Sequence, residues 1–495
     1  VKIRGKIRHP RLSTAMLAIA VASFVVGSVV RVFAARNDLW FDEVWTLQML
    51  REHVHSFADV FTNVKHSNNH HLCSLWMWLV GQNASPLVYR LPSVLASIGT
   101  IVVAALIGLR RSRLEGCIAV IFTSWSYLLI HFGTEARGYS LCIFFALLAW
   151  YALQQFEETV AGSAESGRSW GWLGLFWGAV MLGFLSHLEF AICFAGLVAW
   201  ALWRCVRYRS KWRQTVFDLL ALFTVPTVLL LVFYSVAIRG MEVGGGPEYQ
   251  VMPLLIKTAS YMLGGAPSGV GAGIIALLAV ALIYVVLVYL MFGRDDRWIF
   301  YAVVIVVPLG LMAILLPVAL SVRYFMVSVA ASLVLLSSGC TALLCRGVGG
   351  RVVGLTLLAV FVAGNAVNTC NLLRFGRGQY LAALRFIETH SRDREAVITS
   401  DHDFRNAMLV NYYKRYLHRS DSVRYANGAT LNDKGAEWLI LHRFDLTKEP
   451  ERVSDIYGNN YKLVSIYRYS DLSGWNWLLY HNLNRPPVPT QTLPR

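Results

Sequence analysis

The chain has 495 residues and a formal charge of +16, yet only 15% of its residues are charged and 56% are hydrophobic. Soluble domains run at roughly 25% charged and 45–50% apolar residues, so this composition cannot cover several soluble cores, and it excludes a disordered chain. The charge is too sparse for a phosphate-binding surface, which excludes nucleic acid as a partner; a polytopic membrane protein with one basic side remains.

Apolar runs long enough to cross about 30 Å of hydrocarbon fall at 13–34, 91–109, 114–132, 138–154, 170–186, 188–203, 216–237, 272–292, 298–317, 322–345 and 352–372. They predict about eleven transmembrane helices over residues 1–373. The first run is too long for a signal peptide and lacks a small-x-small cleavage site, so it reads as a retained anchor. Lys and Arg cluster before the first run and, two runs at a time, at 110–113, 168, 204–213, 294–297 and 346–351. This side is expected to be cytoplasmic. The pattern places the N-terminus in the cytoplasm, the protein in the cytoplasmic (inner) membrane and the tail on the extracytoplasmic, periplasmic side. The cytoplasmic pieces carry a net +11 and the tail from 374 a net +5. The excess is therefore chiefly an orientation signal.

Three segments are expected on the extracytoplasmic side. The loop 35–90 holds a short apolar stretch, 72–80, suited to the interface. The loop 238–271 is rich in Gly without a phosphate-loop spacing. Residues 374–485 turn soluble in character, with strand-like runs at 395–399, 437–442, 462–468 and 475–481 and a helix-like run at 403–417, which predicts a small α/β domain. Residues 486–495 read as a disordered end. The eight Cys form no CxxC and sit mostly in apolar runs, where they act as small apolar residues.

Ionisable residues near membrane depth are functional suspects by default. Asp42, Glu43, Glu135, Arg137, His187, Glu189, Arg239 and Arg323 gather at the extracytoplasmic ends of the runs, whereas Glu115 and Asp218 lie beside basic clusters that pair them. Asp42 and Glu43 are neighbours and do not share a helix face; one can act as a base while the other orients a partner or caps a helix. Both also suit a helix N-terminus through the dipole alone. Trp40 and Trp45 flank them and serve as belt residues or face a sugar ring. Glu135 and Arg137 fall in the minimal turn of HFGTEARGY, as an interfacial ion pair or as base and substrate clamp, with a divalent metal possible between Asp42 and Glu135. Lys65, His66, Asn69, His70 and His71 match no metal motif and form a polar wall for a ligand or a solvated loop. Arg323 and Tyr324 open the tenth run, as a phosphate-binding fork or an interfacial anchor; His187 and Glu189, in SHLEF, carry the same two readings.

WFDE, NHH with its apolar stretch, YRLPSVLASIGTI, TEARGYSL, SHLEF and SVRYFMVSVAASLVLL occur in one order on one side. In this the chain resembles the polytopic GT-C glycosyltransferases, in particular the family 39 protein O-mannosyltransferase and lipid A aminoarabinose transferase-like enzymes, over nearly its whole length. The resemblance implies a GT-C membrane domain with a small extracytoplasmic α/β domain. It implies transfer of a sugar from a polyprenyl-phosphate carrier to a glycan, lipid or protein acceptor outside the cytoplasm, with membrane lipids around it and no required cofactor. Asp42 matches the family's catalytic carboxylate and Glu135 its second acid. Arg323 and Tyr324 match the motif near the carrier phosphate. Lys65, Asn69, His70, Arg137, Tyr139 and His187 complete the expected substrate and carrier site. Where many relatives have prolines, this chain reads Asn69-His70-His71-Leu72. A transporter or flippase without chemistry is the rival reading; it predicts midplane charges and repeats, and neither is visible.

Overall fold

A computed structural model of the chain describes residues 14–162, 166–208, 212–242, 250–315, 321–391, 394–431, 435–446 and 449–485. The expected disordered end, 486–495, lies outside these residues. The chain divides into two compact units, residues 1–35 with 53–369, and residues 36–52 with 370–495.

In chain order the helices are α1 (Thr14–Ala34), α2 (Phe41–His53), α3 (Asp59–Thr62), α4 (His71–Val80), α5 (Pro86–Leu109), α6 (Arg113–Trp125), α7 (Tyr127–Gly133), α8 (Tyr139–Gly162) and α9 (Ser166–Ser186). They continue with α10 (Phe190–Tyr208), α11 (Trp212–Phe233), α12 (Val251–Met262), α13 (Gly269–Phe292), α14 (Trp298–Leu315), α15 (Met326–Leu344) and α16 (Gly347–Phe375), then α17 (Tyr380–His390) and α18 (Asp403–Tyr413). Over their described residues all eleven expected runs are helical, the third being divided between α6 and α7. Among the described residues, eight helices are long and apolar enough to cross a membrane, or nine if α6 and α7 count as one span. The count rests on length and composition over the described residues alone, and in it the third expected run is divided between two helices.

The break has a physical cause. Residue Ser126 ends α6, and α7 leaves at 59°. A bend inside apolar surroundings frees carbonyls and N–H groups that must find partners. The guanidinium of Arg31, fully buried in the last turn of α1, donates to the carbonyls of Thr123 (2.8 Å), Ser124 (3.0 Å) and Gly27 (2.9 Å) and to Ser97 Oγ (2.7 Å). On the other side of the break, the N–H of Tyr127 donates to Asn365 Oδ1 at 2.7 Å. Asn365→Leu removes this buried acceptor and should cost about 1–3 kcal/mol. Thermal melting in detergent measures this; an unchanged midpoint would mean the break does not need Asn365.

Far along α15 from Arg323, charged groups tie the helix ends together. Arg204 pairs with Glu157 (3.4 Å) and Asp296 (3.0 Å), Arg297 with Asp295 (2.7 Å), and Arg111 with Asp295 and Glu115 (both 3.6 Å). The pairing expected for Glu115 is found, and its carboxylate also accepts from Ser338 Oγ at 2.6 Å.

The second unit carries a six-stranded sheet of β1 (Ala396–Ser400), β2 (Val423–Tyr425), β3 (Trp438–Arg443), β4 (Arg452–Ser454), β5 (Asn460–Tyr467) and β6 (Asn476–Asn482), in the order β2-β1-β3-β6-β5-β4. β1 pairs in parallel with β2 and β3, and the remaining pairs are antiparallel. The four expected strands are present; β2 and β4, three residues each, are additions. Residues 36–52 join this unit because their groups find partners there. The Asp38 carboxylate accepts the N–H of Leu381 (3.0 Å), Tyr413 Oη donates to the Leu39 carbonyl (2.8 Å), and Phe41 lies against Phe404 and Trp475 at 5.6 and 5.9 Å.

Candidate active site

In the first unit three turns converge. Asn69 donates to the carbonyls of Val60 (2.8 Å) and Val64 (3.0 Å), which ties the loop to α3 and sets His70 at the start of α4. The turn 134–138 closes tightly because Gly138 has no Cβ; one there would lie 1.8 Å from the Ser186 carbonyl oxygen. The third turn is His187–Glu189. Glu189 reaches across to α15, where one carboxyl oxygen accepts the N–H of Val327 at 2.9 Å. That helix-capping contact holds the 3-10 turn Val322–Phe325, which carries Arg323 and Tyr324.

The outcome is a ladder of rings flanked by two guanidinium groups. His70 and His187 stack at 4.8 Å with 19° between planes. Tyr139 meets them at 5.2 and 4.7 Å, and Tyr324 lies 6.4 Å from His187. Arg137 sits over Tyr139 at 5.5 Å, donates to its hydroxyl at 3.3 Å and donates to Asn68 Oδ1. Arg323 sits over Tyr324 at 5.5 Å.

Hydrogen-bond partners assign the ring protons. His187 Nδ1 accepts the N–H of Glu189 at 3.0 Å, so its proton is on Nε2. His70 is bonded to the Ser186 backbone on its Nδ1 side, and its buried Nε2 has no partner, which leaves an acceptor lone pair. Burial, then the charge of Arg137 and Arg323, pushes His187 down to about 3. Burial first, then Arg137, His187 and Arg323, holds His70 well below the usual range. Burial raises Glu189 to about 8, against the N–H groups of Val327 and Met326. At neutral pH the histidines are uncharged and Glu189 is mostly protonated.

These shifts set a pH dependence. Glu189 is raised, so its contribution is full below about 4.5 and is lost as pH climbs through about 8. His187 is depressed, so its contribution is present above about 6.5 and is lost as pH falls toward about 3. The melting temperature in detergent should fall between pH 6 and pH 9. Glu189→Gln, which keeps an acceptor for Val327 and cannot ionise, should flatten that limb. An equal slope in the variant would sink the assignment.

Other expected residues lie apart from this ladder. Lys65 donates to the Val236 carbonyl and its strand-like neighbours pair with Glu242, so it closes a loop instead of lining the ladder. The amide of Asn69 likewise works on α3 and its following turn. His71 packs on Phe61 and Phe233 at 5.4 and 5.0 Å. Glu135 pairs with His131 at 3.3 Å, both fully buried. Among the described residues no group of three or more His, Cys, Asp or Glu could hold a metal ion. The metal considered between Asp42 and Glu135 has no support in this arrangement.

Asp42 and Glu43 belong to the second unit, on the first turn of α2. One Glu43 oxygen accepts the N–H of Trp40 at 3.1 Å, three residues back, half of a capping box. Glu43 thus makes a helix-capping contact, one of the roles the sequence left open for the pair. Asn68 and His131 were not among the expected site residues, and Glu189, a suspect by its place near the bilayer, has a role that the sequence did not suggest. Asn68 stands in the same KHSNNHH run, and His131 precedes Glu135 by four residues across the end of α7. Nothing in SHLEF tells that Glu189 caps a helix 138 positions later.

No family model matches the chain, and no curated protein matches its sequence. Its fold, however, matches solved structures along nearly its entire length. ArnT (lipid A aminoarabinose transferase) from Cupriavidus metallidurans in the apo state has 11% identity and a TM-score of 0.54, over 93% of this chain and 97% of that one. The same protein bound to undecaprenyl phosphate has 12% identity and a TM-score of 0.52, over 95% and 98%. The chain has the polytopic GT-C fold. The apo oligosaccharyltransferase of Archaeoglobus fulgidus shares it at 10% identity and a TM-score of 0.52, over 86% of this chain and 69% of that one. The helices and small sheet domain of the present chain correspond to the fold expected from the ordered motifs.

Proposed function

We propose that the protein is an inverting glycosyltransferase. It moves a sugar from a polyprenyl-phosphate carrier to an acceptor hydroxyl on the extracytoplasmic face of a cytoplasmic membrane. The observation that carries this reading is the ladder itself: two guanidinium groups beside two neutral, stacked histidines, with His70 Nε2 buried and unpartnered. Positive charge in a low-dielectric site is suited to a phosphate. The His187 Nε2–H and the Tyr139 and Tyr324 hydroxyls add donors for its oxygens, and His70 Nε2 can accept from a sugar hydroxyl. The GT-C fold, which ArnT shares in a structure bound to undecaprenyl phosphate, supports the same carrier class.

In the reaction, Asp42 takes the proton of the acceptor hydroxyl as its oxygen attacks the anomeric carbon. The bond from that carbon to the phosphate oxygen breaks on the opposite face, which inverts the centre. The electron pair leaves with the phosphate, and Arg137 and Arg323 stabilise the charge. Glu43, engaged in the helix cap, takes no chemical role, and Glu135 with His131 shapes the turn that carries Arg137.

Mass spectrometry of the carrier tests this. Purified protein given a polyprenyl-phosphate-linked sugar and a cell-envelope acceptor extract should release polyprenyl monophosphate as sugar is transferred. Carrier that crosses a liposome with its sugar intact would overturn the reading in favour of a flippase.

A further inference from the structure

The strands of the second unit leave β1 and β3 in opposite directions. From β1 the chain passes through α18 to β2 at one edge, and from β3 it runs on to β4 at the other. In open α/β sheets the crevice outside the carboxyl ends of two such strands is where ligands bind. Here that crevice holds Asp401 after β1 and His442 at the end of β3, with the Asp401 carboxylate accepting from the His442 ring at 3.0 Å and its backbone N–H at 3.1 Å. Arg443 also donates to Asp401, so the pair of side chains is charge-balanced.

Beside this polar floor stands an aromatic wall. Trp475 meets the His442 ring at 5.5 Å and carries the Arg405 guanidinium over its face at 5.5 Å. Phe444 lies 6.5 Å from Trp475 and is 43% exposed; Phe404, on α18, is 55% exposed. Phe404 in turn packs edge-on against both Phe41 and Trp45, at 5.6 Å each. These two residues belong to α2 and bracket Asp42, Trp45 being three positions beyond it and so on an adjoining part of the helix surface.

Resting on the transferase reading above, we propose that this crevice is the acceptor site and that the acceptor it takes is a saccharide. Exposed ring faces suit the apolar faces of a pyranose. The Asp401 oxygens, His442 and Arg405 supply the mixture of acceptors and donors that hydroxyl groups need. The charge balance of Asp401 and Arg443 suits a neutral sugar. An extended peptide has less to hold it, because β1 and β3 are interior strands whose backbone ladders are already paired on both sides. The wall ties the bound saccharide to the helix that carries Asp42.

The test needs no donor, so it separates this inference from the transfer reaction. Full-length protein in detergent is mixed with a panel of free hexaoses of glucose, galactose, mannose and N-acetylglucosamine, and saturation-transfer NMR reads the sugar ring protons. At least one hexaose should be saturated. The Phe404→Ala, Phe444→Ala double variant should weaken it about tenfold, and Phe444→Ala alone, which spares the contacts of Phe404 with Phe41 and Trp45, should weaken it in part without changing the melting temperature. Arg323→Met, which disturbs the phosphate ladder alone, should leave it intact. The inference falls if no hexaose is saturated, if the double variant binds like wild type, or if a Ser/Thr-rich peptide is saturated through the same residues instead.

Discussion

Asp42→Asn should lower kcat for sugar transfer by about 10²–10⁴, the usual worth of a positioned general base, and leave the donor's KM nearly unchanged. The substitution is nearly isosteric; it removes the negative charge and with it the ability to take a proton. The helix start does not depend on it, because Glu43 holds the Trp40 N–H and the Asp42 backbone carbonyl accepts from Thr46 Oγ at 2.9 Å. Melting should therefore change far less than the rate. Glu43 supplies the contrast. Glu43→Gln keeps an acceptor for the cap and should retain most activity, whereas Glu43→Ala should cost about 1 kcal/mol of stability through the lost cap. Initial rates and melting curves for the three variants separate base from cap. Near-wild-type transfer by Asp42→Asn would move the base elsewhere, with Glu135 the next carboxylate to try.

The helices were legible because apolar runs of bilayer length have few alternatives, and all eleven are helical over their described residues. The fracture at Ser126 was not, because its stabilising groups come from Arg31 and Asn365, 95 and 239 positions away. Hydropathy cannot report a hydrogen bond between distant helices. The longer strands of the α/β domain showed in their composition, while β2 and β4 are three residues long and carry too little pattern. The start of the helix at 41–53 was one reading of the acidic pair Asp42-Glu43, but its packing was not legible. Trp45 reads as a membrane-belt aromatic, and only the tertiary structure places it on Phe404 and places Phe41 on Phe404 and Trp475. For the site, residue type pointed to Arg137, Tyr139, His70, His187, Arg323 and Tyr324, and these are the groups that assemble into one ladder. Type alone could not tell ladder from scaffold. Asn69 and Lys65 share the polar run with His70, yet their donors are used on backbone carbonyls.

Arg323→Met and Arg137→Met should each weaken binding of polyprenyl phosphate by about 10- to 100-fold, the worth of one or two hydrogen bonds to a charged group. The two effects should not add, since both cations act on one anion and on the same pair of histidines. Lysine should restore only part of the loss at either position: it keeps the charge without the planar fork and does not stack on Tyr139 or Tyr324 as a guanidinium does. The informative comparison is with polyprenol, the same chain without phosphate. Native mass spectrometry of the protein with each lipid reads both affinities. If the arginines recognise the phosphate, polyprenol binding stays level across the variants while polyprenyl phosphate binding falls. An equal fall for both lipids would mean that Arg137 and Arg323 hold the ring ladder in shape and that the phosphate is bound by other groups.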